Sequence, residues 1–188
     1  MTTTRLLGDV QIPAAGTFSL DPSHTLVGAV ARHLMVSKVR GKFTEVTGTI
    51  TVAEEPLESS VDVRINAASI DTGNADRDGH LRSPDFLDVA AYPELTFVST
   101  RIVKQDGNEF VLAGDLMIHG VTKEIELEVE FHGVAVSPWG AEVIGFSAKG
   151  EFDREEFGMT WNAALETGGV LVGKKISVEI EAEAIRQG

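Results

Sequence analysis

The most regular stretch of the chain is Ile125-Glu126-Leu127-Glu128-Val129-Glu130-Phe131-His132, where apolar and polar residues alternate without a break. A period of two puts Ile125, Leu127, Val129 and Phe131 on one face of a strand and the glutamates on the other. Residues 176–184 repeat the pattern, with Ile176, Val178, Ile180, Ala182 and Ala184 set against Ser177, Glu179, Glu181 and Glu183. Segments 61–65 and 110–116 follow it too, and further strands are predicted over 17–21, 24–33, 42–52, 94–104 and 141–153. Turn signals divide them at Asp21-Pro22, Glu55-Pro56, Asp106-Gly107-Asn108, His119-Gly120 and Pro138-Trp139-Gly140. Eight or nine strands with short links and one wet face predict an all-β antiparallel meander, closed as a barrel or folded as a sandwich. No repeat, low-complexity tract or internal boundary interrupts it, so residues 17–188 read as one domain behind an N-terminal extension, 1–16.

One segment has no period of two. Residues 71–93 predict one or two short helices, over 74–81 and around 85–89, in a connection long enough to act as a lid. A barrel of about eight strands is either filled by side chains or holds one small ligand. Ala29, Ala31, Gly114, Gly145, Ser147, Ala182 and Ala184 are small residues on the faces expected to point inward. They leave room for a ligand, or they pack against large neighbours and relieve barrel corners.

Charge narrows the partners. The chain of 188 residues carries a formal charge of −13, with 43% hydrophobic and 24% charged residues. Nucleic acid needs a basic face, and bulk attraction to anionic lipid needs a positive protein. Neither fits. With no cysteine there is no thiolate ligand, disulfide or cysteine nucleophile. The first residues, MTTTRLLGDVQIPAAG, lack the apolar core of 7–15 residues that a secretory signal needs. The expectation is a cytoplasmic protein. No apolar run approaches the ~20 residues of a membrane-spanning helix.

Three motif-like stretches fail on context. Gly168 to Lys175 has the G-x4-G-K spacing of a phosphate loop, but Lys175 stands where Ser or Thr should hold magnesium, and a strand pattern follows. Asn74-x-Asp76-x-Asp78-Gly79-x5-Asp85 approaches a calcium loop, yet begins with Asn, ends with the short Asp and lacks flanking helices. Gly145-Phe146-Ser147-Ala148-Lys149-Gly150 misses the nucleophile-elbow spacing and lies inside a strand pattern. The five histidines, His24, His33, His80, His119 and His132, show no paired metal spacing. No cofactor or metal is implied, and no nucleophile stands beside a histidine.

Five longer stretches, taken in order, carry a family resemblance: DPSH (21–24), RHLMVSKVRGKFTEVTGTI (32–50), RDGHLRSPDFLDVAAYPELTFVST (77–100), GDLMIHGVTKEIELEVEF (114–131) and FGMTWNAALETGGVLVGKKISVEIE (157–181). Together they resemble the YceI-like family of polyisoprenoid-binding, lipocalin-like proteins, across about residues 17–186. The resemblance implies an extended eight-stranded antiparallel lipocalin-like barrel with a short helical insertion near its mouth. It implies a polyisoprenoid or similar long-chain lipid, such as an isoprenoid quinone or isoprenyl diphosphate, bound for transport, storage or sequestration and not for catalysis. Two departures stand out. Ala29 replaces a phenylalanine common in the family and widens a pocket it faces; Gly79 replaces a common glutamate and weakens a lid helix by ~1 kcal/mol relative to alanine.

Parity and the lid then nominate ligand-binding residues: Val27, Ala29, Ala31 and His33 on the odd face of the first long strand, with Phe97, Phe146 and Trp161. Leu95, Phe110, Leu112 and Phe131 stand beside them; either face of 141–153 can point inward, and Ile144, Phe146 and Phe152 are its bulky set. From the lid come Leu81, Phe86, Leu87 and Tyr92, with His80 and Arg82 for a polar head group. Two alternatives stay open: an enzyme working on a lipid-like substrate through a pocket histidine, and a closed-core, stress-associated interaction module. Barrel edges and an acidic face permit a homodimer without demanding one. Finally, Arg32, Lys38, Arg40 and Lys42 have even numbers, which puts this basic cluster on the outer face, expected to offset the Glu124–Glu130 row unless Leu34–Ser37 bends.

Overall fold

A computed structural model describes residues 3–188. Thirteen strands form: β1 (Thr4–Leu7), β2 (Val10–Pro13), β3 (Gly16–Leu20), β4 (Leu26–His33), β5 (Ser37–Phe43), β6 (Val46–Val52), β7 (Ser60–Asn66), β8 (Ile70–Asp71), β9 (Glu94–Asp106), β10 (Glu109–Ile118), β11 (Val121–Val136), β12 (Glu142–Asp153) and β13 (Val172–Arg186). One helix, α1 (Ala75–Arg82), lies between β8 and β9. Eight antiparallel strands close a ring in the order β3-β6-β7-β9-β10-β11-β12-β13 and back to β3. This is the expected lipocalin-like barrel.

The periodic segments behave as their sequences dictate. In β11, Leu127, Val129 and Phe131 are buried while Glu126, Glu128 and Glu130 are exposed. On the outside, Arg101 grips Glu124 through two bonds of 2.8 and 3.0 Å, and Lys149 meets Glu128 at 3.1 Å. Register shifts at Val111/Leu112, Ala113/Gly114 and Phe131/Gly133 bend the wall, as bulges in barrels do. The β10–β11 hairpin turns on His119 and Gly120, both at positive φ, the two-residue turn whose twist matches its strands.

Strand β13 serves two partners on one edge. Its last residues, Ala184–Arg186, pair with β3, whereas residues 172–181 pair with β4. Asp21-Pro22 breaks what would be one strand into β3 and β4. The sequence-based span 42–52 is likewise two strands, with a break at Thr44-Glu45. Strands β4 and β5 therefore leave the ring as a hairpin, and β8 adds to β5 through Lys42–Asp71 and Phe43–Ile70.

The N-terminal extension is structured. Strands β1 and β2 form a hairpin tied down by Arg5, which donates to the carbonyls of Pro13, Ala53 and Glu54. Ile12 joins Phe18, Val52, Phe131, Ile144 and Ala184 in a separate core cluster at that end. In the lid, Asn74 caps α1 by accepting from the Arg77 N–H at 2.9 Å. The second predicted helix, 85–89, is a run of turns with Asp88 at positive φ.

Candidate functional site

A cavity of about 730 Å³ runs through the barrel, within the range of ligand pockets. At one end Leu7, Val10, Ile12 and Pro13 of the N-terminal hairpin line it; at the other stand Arg32, His33, His80, Trp161 and Leu171. Between them the wall is apolar. Ile176, Val178, Ile180 and Ala182 of β13 contribute to it, as do Ile125, Leu127, Val129 and Phe131 of β11. A closed-core module predicts no such space.

Val27, Ala29, Ala31, His33, Leu81, Phe86, Leu87, Phe97, Phe146, Trp161 and His80 all line the cavity, as do Leu95, Phe110, Leu112 and Phe152. Two nominated residues lie elsewhere. Tyr92 is outside the cavity wall, its ring against His119 (centroids 4.8 Å apart) and over Gly120. Arg82 turns away from the mouth: its Nε donates to the Ala68 carbonyl at 2.8 Å and its Nη2 to the Ile70 carbonyl at 3.1 Å. Its fork is spent on fastening α1 to Ala68 and to Ile70, the first residue of β8.

The small residues divide. Ala29, Ala31 and Ala182 border the cavity. The room at Gly114 is already taken: a Cβ there would run into the Phe97 ring and lie 2.8 Å from the Val98 carbonyl oxygen. Ala184 is fully packed in the second core cluster. Ser147 points outward, hydrogen-bonded to His132 and, at 3.1 Å, to Glu181. Ile144 belongs to the core and not the cavity.

At the lid end His80 Nε2 lies 2.8 Å from Asp85 Oδ2, with the rings of Trp161 and Phe86 edge-on at 4.6 and 5.0 Å. Arg77 stands beside it on the cavity wall and donates to the Thr72 hydroxyl and carbonyl at 2.8 and 3.0 Å. Thr72 in turn donates from N and Oγ1 to the buried Asp78 at 2.8 and 2.6 Å, and these bonds hold that carboxyl below its ordinary pKa. Of the acids in the calcium-like stretch, Asp78 is thus committed to Thr72 and Asp85 to His80, while Asp76 lines the cavity beside Arg77. The glycine-rich stretch leads into β13 and no helix follows it.

Arg154, missed by periodicity, lies behind the same aromatic group, its guanidinium carbon 5.8 Å from the Phe86 ring centroid. It is 2% exposed and lines the cavity. Its guanidinium donates to the carbonyls of Met159 (2.7 Å), Trp161 (2.9 Å), Gly173 (2.9 Å) and Val172 (3.3 Å). Burial pushes its pKa down, with Glu155 and Asp153 pushing back. The only advance signal was an arginine beside Asp153, where the alternating pattern of β12 ends.

The basic cluster shares one face, but through the β4–β5 pairing and not an unbroken strand; Arg32 reaches the lid end of the cavity, and the predicted partners are not the ones found. Arg40 pairs with Glu179 at 2.8 Å, whereas Glu124 and Glu128 of the acidic row are held by Arg101 and Lys149. The bend is real: Leu34 and Met35 both take positive φ.

Comparison with known proteins gives the same architecture a lineage. A UPF0312 protein of Staphylococcus epidermidis is 40% identical over 168 residues, covering 88% of this chain and 95% of that protein. The crystal structure of the Campylobacter jejuni YCEI protein is similar with a TM-score of 0.72 and 34% identity, over 84% of this chain and 90% of that one. A polyisoprenoid binding domain from Saccharophagus degradans, implicated in plant cell wall breakdown, shares the fold at a TM-score of 0.67 and 15% identity, over 90% and 98% of the two chains. The model of the YceI-like domain matches residues 18–184, and the chain belongs to that family.

Proposed function

We propose that this barrel binds a polyisoprenoid or similar long-chain lipid, tail along the cavity, for transport, storage or sequestration. The observation that carries the reading is the continuous apolar space between the hairpin end and the lid. Each CH₂ buried there contributes ~0.8 kcal/mol, so a prenyl tail needs few polar contacts. The Saccharophagus degradans neighbour, described as polyisoprenoid-binding, supports the same ligand class. A quinone or diphosphate head group meets His80 and Arg77 at the lid, with Arg32 on the rim. The occupant's class is tested by native mass spectrometry of freshly purified protein. A co-purified hydrophobic molecule in the prenyl-lipid mass range is expected; its absence, with no uptake of added prenyl lipid, rejects the reading.

A catalytic reading draws on the His80–Asp85 pair beside the cavity. It also asks for a nucleophile within reach. Among the described residues Asp85 is the one hydrogen-bond partner of the His80 ring, and the nearby Thr72 hydroxyl is engaged by Asp78 and Arg77. Binding without turnover fits this arrangement better. An unchanged prenyl diphosphate after prolonged incubation is the expected result; its hydrolysis by the wild type but not by His80→Ala would favour the enzyme.

A further inference from the structure

The β4–β5 hairpin ends in three consecutive apolar side chains that face solvent: Leu34, Met35 and Val36 are 39, 55 and 80% exposed. Leu34 and Met35 also hold left-handed backbone, φ 52° and 64°, where a side chain with a Cβ is strained and Asn-Gly is the ordinary choice. Just behind them Arg32 and Lys38 face each other directly across the two strands, and like charges in that position repel. Arg40 has Glu179, but among the described residues no carboxylate lies within 4.0 Å of Arg32 or Lys38. In water each of the three features is unfavourable. One environment relieves the exposed apolar side chains and the facing cations together: an anionic bilayer interface, which takes up apolar side chains and places phosphates beside the cations. The strained backbone stays strained there and serves to hold the side chains at the tip.

The position of the tip matters as much as its composition. The Leu34 N–H donates to the Leu171 carbonyl at 2.9 Å, and His33 pairs with Val172. Leu171 and Trp161 of that segment line the lid end of the cavity, as do Arg32 and His33. We propose that the Leu34-Met35-Val36 tip, with Arg32 and Lys38, docks this end of the barrel onto an anionic lipid bilayer. The net charge of −13 does not forbid it, because at physiological salt a charge acts over about 8 Å and the tip meets the surface first.

The far end provides an internal control. Trp139 is 90% exposed there, but the loop around it has no basic cluster and Glu142 is engaged by Arg186. The test is flotation with vesicles of phosphatidylcholine alone and of phosphatidylcholine mixed with phosphatidylglycerol. The full chain should float with the mixed vesicles only, less so as salt rises. Replacing Leu34→Asn, Met35→Gly and Val36→Thr together suits the turn better than the natural residues, so loss of folding is not the explanation for a loss of binding. It should reduce flotation by about tenfold or more, and Lys38→Glu should also reduce it, whereas Trp139→Ser should not. Uptake of a prenyl lipid from detergent solution should be unchanged in the triple variant, which separates docking from cavity binding. No flotation of the wild type, equal flotation of the triple variant, or loss only with Trp139→Ser would overturn the proposal.

Discussion

The guanidinium of Arg154 donates to the carbonyl of Met159 at 2.7 Å, and through its other bonds it ties residues 159–161 to residues 172–173. A buried cation held wholly by carbonyls acts as a clamp on the segment that brings Trp161 to the cavity. Replacing Arg154→Ala strands several buried carbonyls and should cost at least about 3 kcal/mol in urea unfolding. Arg154→Lys should recover only part, because one ammonium cannot span the same fork of acceptors. Hydrogen exchange should rise across 159–173 in both variants.

Asp21 and His24 predict a pH window. The His24 ring, 2.7 Å away, and Ser23 lower the Asp21 carboxyl from 3.8 to about 2, and Asp21 raises His24 above 6.5. A depressed carboxyl stabilises above its unfolded pKa and loses that contribution as pH falls through the folded one. A raised imidazole stabilises below its unfolded pKa and loses that contribution as pH rises through the folded one. The pair therefore supports the fold most between about pH 4 and 6.5. Urea midpoints of the wild type and His24→Ala should differ most inside that window and converge on either side.

Gly79 lies in the middle of α1, and a Cβ there meets no heavy atom within 4 Å. Gly79→Ala should therefore stabilise by ~1 kcal/mol and slow hydrogen exchange over 75–82. A destabilised variant would show that this position needs the freedom of glycine.

Ala29 tests the depth of the cavity. A phenylalanine at this lining position displaces tail carbons at ~0.8 kcal/mol each. Ala29→Phe should weaken geranylgeraniol binding by tens-fold, through about three lost CH₂ contacts, and geraniol much less, in a titration followed by calorimetry. Equal losses for both would place the tail elsewhere.

What sequence reading reached depended on whether a strand has one wet face. In β11 the glutamates label the outside, so Leu127, Val129 and Phe131 were legible. In β12 Ser147 and Ala148 carry no such label, and the outward turn of Ser147 toward His132 and Glu181 was not readable. Gly114 looked like empty space because a one-dimensional pattern does not show Phe97 reaching across to fill it. The lid has no period at all: His80 reached the cavity and Arg82 did not, through carbonyls of Ala68 and Ile70 brought close only by the fold. The hairpin of β1 and β2 was hidden because four-residue strands are too short to show alternation.

That hairpin has a consequence for selection. Its residues Leu7, Val10, Ile12 and Pro13 line the cavity at the end away from the lid, and they precede the 18–184 span that the family model matches. In the proposed binding mode, a chain that enters from the lid reaches these residues only when it is long enough to run the whole cavity, so they would be felt by long tails and not by short ones. Under that proposal, discrimination by length would rest on a hairpin outside the matched span, and changing Leu7 or Ile12 would alter it without touching the β11 and β13 walls.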